Sequence, residues 1–193
     1  LNTSGGLTGG DAISFALQVG DGVRLTASTQ TAERAYASNQ GAAQMQVRAI
    51  VGAGARLDWL PQETILFQSC NLVRRTTVDL APDAQCLLAE TVILGRHAMG
   101  ETLTDARIGL EMFCLPSCDV TLYLINGLPG RGLACRNWKP AAIFPARAVF
   151  AYDLVPRSVG WNSLTAGVTY SLVLSLTAGE CRCRSHPLPL NLT

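Results

Sequence analysis

Histidine is nearly absent from this 193-residue chain, with only His97 and His186 present. That removes most histidine-based acid–base catalysis and most His-ligated metal sites. Lysine is scarcer still: Lys139 stands alone, and residues 1–112 hold none. No Gly-x-Ser-x-Gly elbow occurs, so an α/β-hydrolase serine has no support. The longest apolar stretches, around residues 120–125 and 168–176, are broken by Thr, Tyr and Ser. They fall short of the roughly 20 residues that a membrane span needs, so no membrane partner is expected. A large excess of one charge is also missing. Fifteen basic against 14 acidic residues leave a net of +1, which does not suit electrostatic binding of nucleic acid. No basic stretch followed by an apolar one opens the chain, and neither does Met. It reads as starting inside a longer protein or after processing.

What is there fits one domain of ordinary size, with 48% apolar residues. The balanced charge hides a break. Residues 1–112 carry 8 Arg and 11 Asp or Glu, a net of −3, whereas residues 113–193 carry 7 basic and 3 acidic residues, a net of +4. The second part also holds 5 of the 7 Cys. An odd Cys count in a chain this long fits a reducing compartment, with Cys70 and Cys86 as small buried hydrophobes. Cys114, Cys118, Cys181, Cys183 and His186 suggest metal ligands, but their spacings match no zinc-finger pattern. Unpaired thiols are the plainer expectation.

From Asp11 to Leu94 the periodicity is two. Ile13, Phe15, Leu17 and Val19 alternate with small or polar residues, Gly20-Asp21-Gly22 turns the chain, and Val23, Leu25 and Ala27 resume the alternation. The unit recurs through Met45, Val47 and Ala49, a Gly52-Ala53-Gly54 turn, then Leu57 and Trp59. A third unit has its turn at Ala81-Pro82-Asp83. Gly22, Gly54 and Asp83 correspond, 32 and 29 residues apart. One hairpin per period of about 30 predicts an all-β fold of stacked hairpin layers, solenoid-like, with a β-sandwich as the alternative. Residues 29–38, lacking alternation, read as a short helix or an ordered loop. The opening Ser4-Gly5-Gly6-Leu7-Thr8-Gly9-Gly10-Asp11 is no phosphate cradle, because no Lys follows and the next segment alternates as a strand. Asp11, Glu63, Glu90 and Glu101 fall at strand ends or within apolar runs, where an unpaired charge is costly. They are expected to pair with Arg such as Arg34, Arg56 or Arg96; the functional reading makes some of them line a polar interior path.

Four motifs in order resemble the UreD (UreH) family of urease accessory proteins. They are Asn2-Thr-Ser-Gly-Gly-Leu-Thr-Gly9-Gly10-Asp11, the segment from Thr29 through Arg34 and Tyr36 to Ser38, Asp58-Trp59-Leu-Pro61-Gln62-Glu63, and Gly95-Arg96-His97-Ala-Met-Gly100-Glu101. The resemblance implies a cytoplasmic, non-enzymatic β scaffold. Its partners would be apo-urease, UreF and the GTPase UreG, and it would help deliver nickel to urease. No cofactor would be stably bound; nickel would be the transferred ion. Asp11, Glu63, Glu90 and Glu101 would then suit a transient nickel path, since oxygen ligands of moderate affinity hand an ion on where thiolates hold it. The resemblance covers about residues 1–112 of a β domain spanning residues 1–113, lacks about one β-layer that the family carries upstream, and stops after Phe113. Residues 114–193 read as a divergent or frameshifted tail, poorly specified and irregular, which would make the chain a partial fragment. The alternative function is an unrelated β-repeat protein-binding module.

Overall fold

A computed structural model of the protein describes residues 5–96, 99–101, 103, 105–115, 118–126, 148–153, 168–178 and 183–185. Residues 2–4, His97, His186 and most of the stretch from residue 127 onward lie outside the described residues. The strands in chain order are β1 (Ala12–Val19), β2 (Arg24–Ala27), β3 (Glu33–Ala35), β4 (Ala43–Val51), β5 (Arg56–Trp59), β6 (Thr64–Leu66) and β7 (Asn71–Leu80). They continue as β8 (Gln85–Leu94), β9 (Arg107–Leu115), β10 (Cys118–Asn126), β11 (Ala148–Asp153), β12 (Val168–Ala178) and β13 (Cys183–Ser185). There is no α-helix among the described residues, so an all-β fold is observed.

Two sheets hold these strands. One has the order β1-β4-β7-β9-β11, and the other runs β13-β10-β12-β8-β5-β2, with β6 pairing both β3 and β8. Among strands that begin within residues 1–112, every pairing is parallel. Ala12 pairs with Gln44 and Ala43 with Leu72, at offsets of 32 and 29 residues. Arg24 pairs with Arg56 and Arg56 with Gln85, at the same two offsets. These are the spacings of the three turns, and the turn residues agree: Gly22, Gly54 and Asp83 are all left-handed, with φ of 67°, 61° and 60°.

The expected hairpins are corrected. β1 and β2 flank a glycine turn but lie in different sheets, as do β4 and β5, and β7 and β8. The turns are therefore corners that carry the chain across the core, and each strand pairs with its counterpart one unit later. The expected helix or loop at residues 29–38 contains β3 instead, paired in parallel with β6. Two β-bonded contacts explain it: Glu33 N–H donates to Glu63 O at 2.9 Å, and Leu7 N–H donates to Arg34 O at 2.7 Å.

Regular structure also enters the segment expected to be irregular. β10, β12 and β13 join the larger sheet and β11 the smaller one. Here the pairing changes: β8–β12, β12–β10 and β9–β11 are antiparallel. Period-two patterns in Val120-Thr-Leu-Tyr-Leu-Ile125 and Val168-Thr-Tyr-Ser-Leu-Val173 suffice for strands despite the shift in composition. Cys114, expected as a free thiol, is disulfide-bonded.

The core lies between the sheets. β4 buries Ala43, Met45, Val47, Ala49 and Val51 and exposes the residues between them. Leu57 and Leu72 are wholly buried; side chains of this size contribute about 1.5–3 kcal/mol each. The buried apolar residues form two clusters. One centres on Val47, Leu57, Trp59, Val78 and Leu88, the other on Met45, Leu66, Leu72, Val92 and Ile108.

Candidate functional site

The boundary between the two apolar clusters is polar. Parity of the β7 alternation sends Leu72, Arg74, Thr76 and Val78 inward, and that of β8 sends Leu88, Glu90 and Val92 inward. Arg74 and Glu90 keep 3% and 4% of their side-chain surface, and Arg74 Nη1 stands 2.5 Å from Glu90 Oε2. Arg74 Nη1 also donates to Thr64 Oγ1 at 3.2 Å. Burial pushes the Glu90 carboxyl above the usual range, and the Arg74 guanidinium works against that shift.

The sheet wall beside Glu90 is interrupted. Ala27 and Glu33 are six positions apart, Trp59 and Thr64 five, and Leu88 and Val92 four, although register aligns all three pairs. The break between β5 and β6, which holds Pro61, Gln62 and Glu63, therefore lies against the continuous stretch of β8 that carries Glu90. Pro61 has no N–H for a ladder there. Gln62 N–H instead donates to Thr29 Oγ1 at 3.0 Å. Trp59 closes β5 with its ring buried and 5.9 Å from that of Phe15.

A second gathering lies at the far end of β6. Glu101 accepts from Gln68 N–H at 3.0 Å, from Arg96 N–H at 2.9 Å and from Arg96 Nε at 3.0 Å. Burial opposes its charge, but these hydrogen bonds and the Arg96 charge outweigh it, and its carboxyl sits below the usual range. Arg96 lies over the Phe67 ring at 4.6 Å, and Phe67 packs on Tyr36 at 4.8 Å. Tyr36 Oη donates to Gly5 O at 3.3 Å. Gly95 and Gly100 take φ of 64° and 68° at the two ends of this turn. A Cβ on Gly6 would sit 2.7 Å from Arg34 O, so the chain passes here only as glycine.

The sequence-derived residues thus divide among several places. Asp11 is exposed and accepts from Thr8 N–H at 2.9 Å, closing the Thr8-Gly9-Gly10-Asp11 turn, in which Gly10 has φ of 87°. Glu63 is half-buried at the sheet break, Glu90 is in the core, and Glu101 ties down its turn. Among the described residues no three His, Cys, Asp or Glu side chains gather to hold a metal ion. Of the anticipated ion pairs, Arg96–Glu101 forms, Arg56 pairs with Asp58 at 2.9 Å, and Glu90 takes the unforeseen Arg74. Burial raises the Cys70 and Cys86 thiols to about 11 and about 12, which keeps both protonated at neutral pH. Arg74, Thr64 and Phe67 were missed. For Arg74 the signal was present, because the parity of Leu72, Val78 and Leu80 already turned it inward.

Comparison with known proteins agrees with the motif order. Urease accessory protein UreD of Cereibacter sphaeroides is 64% identical over 104 residues, covering 54% of this chain and 38% of that protein. The proteins of the same name from Dinoroseobacter shibae and Paracoccus denitrificans are 53% and 52% identical, over 54% and 56% of this chain and 37% and 40% of theirs. The chain thus spans about two fifths of the length of these curated relatives. Among the described residues no helix is long and apolar enough to cross a membrane. The sequence model of the UreD urease accessory protein family matches residues 1–112, more than half of the chain, and the chain belongs to that family.

Proposed function

We propose that this chain is a non-enzymatic urease maturation scaffold of the cytoplasm that works with UreF, UreG and apo-urease in inserting nickel. The observation that carries this reading is the family match over residues 1–112, with relatives named urease accessory protein UreD at up to 64% identity. The parallel offsets of 32 and 29 residues support viewing that stretch as a solenoid-like stack. Nickel is cargo here, with no resident cofactor. Asp11, Glu63, Glu90 and Glu101 are the carboxylates we assign to its transient passage as a hydrated ion, since oxygen donors release it readily. The half-buried Glu63 at the sheet break and Glu90 behind that break favour this route. We assign residues 114–193 to a tail outside the family pattern.

A hybrid tests the reading. Residues 1–112 replace the matching segment of the Cereibacter sphaeroides protein in cells that lack it, and urease activity is measured in nickel-containing medium. Restored urease activity is expected, together with co-purification of the hybrid with apo-urease. A soluble hybrid that neither restores activity nor binds apo-urease would overturn it.

A further inference from the structure

The polar seam between the two apolar clusters is incompletely matched. Arg74 Nη1 donates to Thr64 Oγ1 and forms an ion pair with Glu90 Oε2. Arg74 Nε and both carboxylate oxygens of Glu90 have no hydrogen-bond partner among the described residues, and neither does Trp59 Nε1. All four atoms are buried. Trp59 pairs in register with Leu88, one inward position before Glu90, and stands where β5 gives way to the break. The orphans therefore belong to neighbouring inward positions of β5, β7 and β8.

Buried polar groups are almost always matched by protein or by ordered water, and a low-dielectric surrounding makes the exceptions costly. The chemistry of the orphans narrows the partner. Two are N–H donors and two are carboxylate oxygens. A bare cation at rest there would serve the oxygens and leave the N–H donors unmatched. A water molecule accepts from N–H groups and donates to the carboxylate, so it answers both kinds. We propose that the seam is a built water site, in which one buried water accepts from Arg74 Nε–H and donates to Glu90 Oε1, with Trp59 Nε1–H beside it as a second donor. The water completes the tie between the two sheets and fixes the Glu90 carboxylate in place. This assignment does not depend on the urease reading.

The test is a water-selective cross-relaxation spectrum of the full ¹⁵N-labelled chain. A cross-peak between Arg74 Nε–H and water, with the sign of a slowly exchanging bound molecule, is expected. Absence of that cross-peak would overturn the assignment. The Thr64 hydroxyl, which accepts from Arg74 Nη1, would relay exchange with solvent, so the Thr64→Val chain is recorded as well. Persistence of the cross-peak there supports a bound water, and its loss overturns the proposal. Trp59→Phe supplies the second measurement. Loss of a water cross-peak at the indole Nε1–H that the unaltered chain shows, with the Arg74 Nε–H cross-peak kept, is expected; no indole cross-peak in the unaltered chain removes Trp59 from the site.

Discussion

Two buried or half-buried glutamates respond to their surroundings in opposite senses. Glu90 is pushed above the usual carboxyl range by burial, against the pull of the Arg74 guanidinium. Glu101 is held below that range once its hydrogen bonds overcome burial. A depressed folded value means that Glu101 contributes stability above the ordinary Glu range, and that this contribution fades as pH falls through the lowered value. Wild type should therefore melt above Glu101→Gln at pH 7, with the gap closing as pH is taken below 4.5, the ordinary value. Thermal melts of both chains across that window check this, and a gap independent of pH would contradict it. The residue scale is also where the candidate site was least legible. Sequence placed Glu90 within an apolar run, but in Arg74-Arg75 two identical neighbours compete to be its partner. Only the parity of the surrounding strand separates them: Arg74 turns inward to Glu90, while the exposed Arg75 pairs with Glu111 at 2.6 Å.

At the scale of elements, the corners carry the fold. Gly54 has φ of 61° and open space where a Cβ would stand, whereas a Cβ on Gly52 would meet Asp21 Oδ1 and sit 2.8 Å from the Gly20 carbonyl carbon. Asp21 Oδ1 also accepts from Ala53 N–H at 2.8 Å, joining one corner to the next. Gly54→Ala should then cost about 1–2 kcal/mol, the strain of a left-handed backbone alone. Gly52→Ala should cost more, because the stacked corner must open. Urea unfolding of the two variants gives the order, and equal costs would refute it. These corners also explain the main misreading. A hairpin turn and a corner between sheets use the same Gly and Asp residues at positive φ, so local chemistry does not tell which strand pairs with which. Alternation, turn positions and the spacings of 32 and 29 were legible because they are local or periodic. Pairing between successive units is non-local, and only the equality of spacing and register reveals it.

For the whole molecule, the two ends of the sheets differ. Among the described residues β1 has β4 on one side and no strand on the other, and its sequence Ala-Ile-Ser-Phe-Ala-Leu-Gln-Val contains no charge and no Pro. Natural edges usually carry such guards against strand addition. Ile13, Phe15 and Leu17 are only partly buried along this edge, and Val23 and Leu25 are 48% and 37% exposed. Ala16→Lys, outward on β1, should reduce aggregation at rising concentration while changing stability by no more than about 0.5 kcal/mol. Light scattering with a parallel melt checks this, and undiminished scattering would sink it. The opposite flank of the larger sheet closes by a different means. β8 takes its second neighbour from β12, whose paired residues lie between 74 and 92 positions further along the chain. At a synthesis rate of about 5–20 residues per second, that interval is on the order of ten seconds. For that time the nascent chain presents β8, ten residues long with Glu90 as its one charged side chain, as an unclosed edge on the ribosome. The geometry of a single antiparallel pair thus sets a period during synthesis in which this protein itself needs protection.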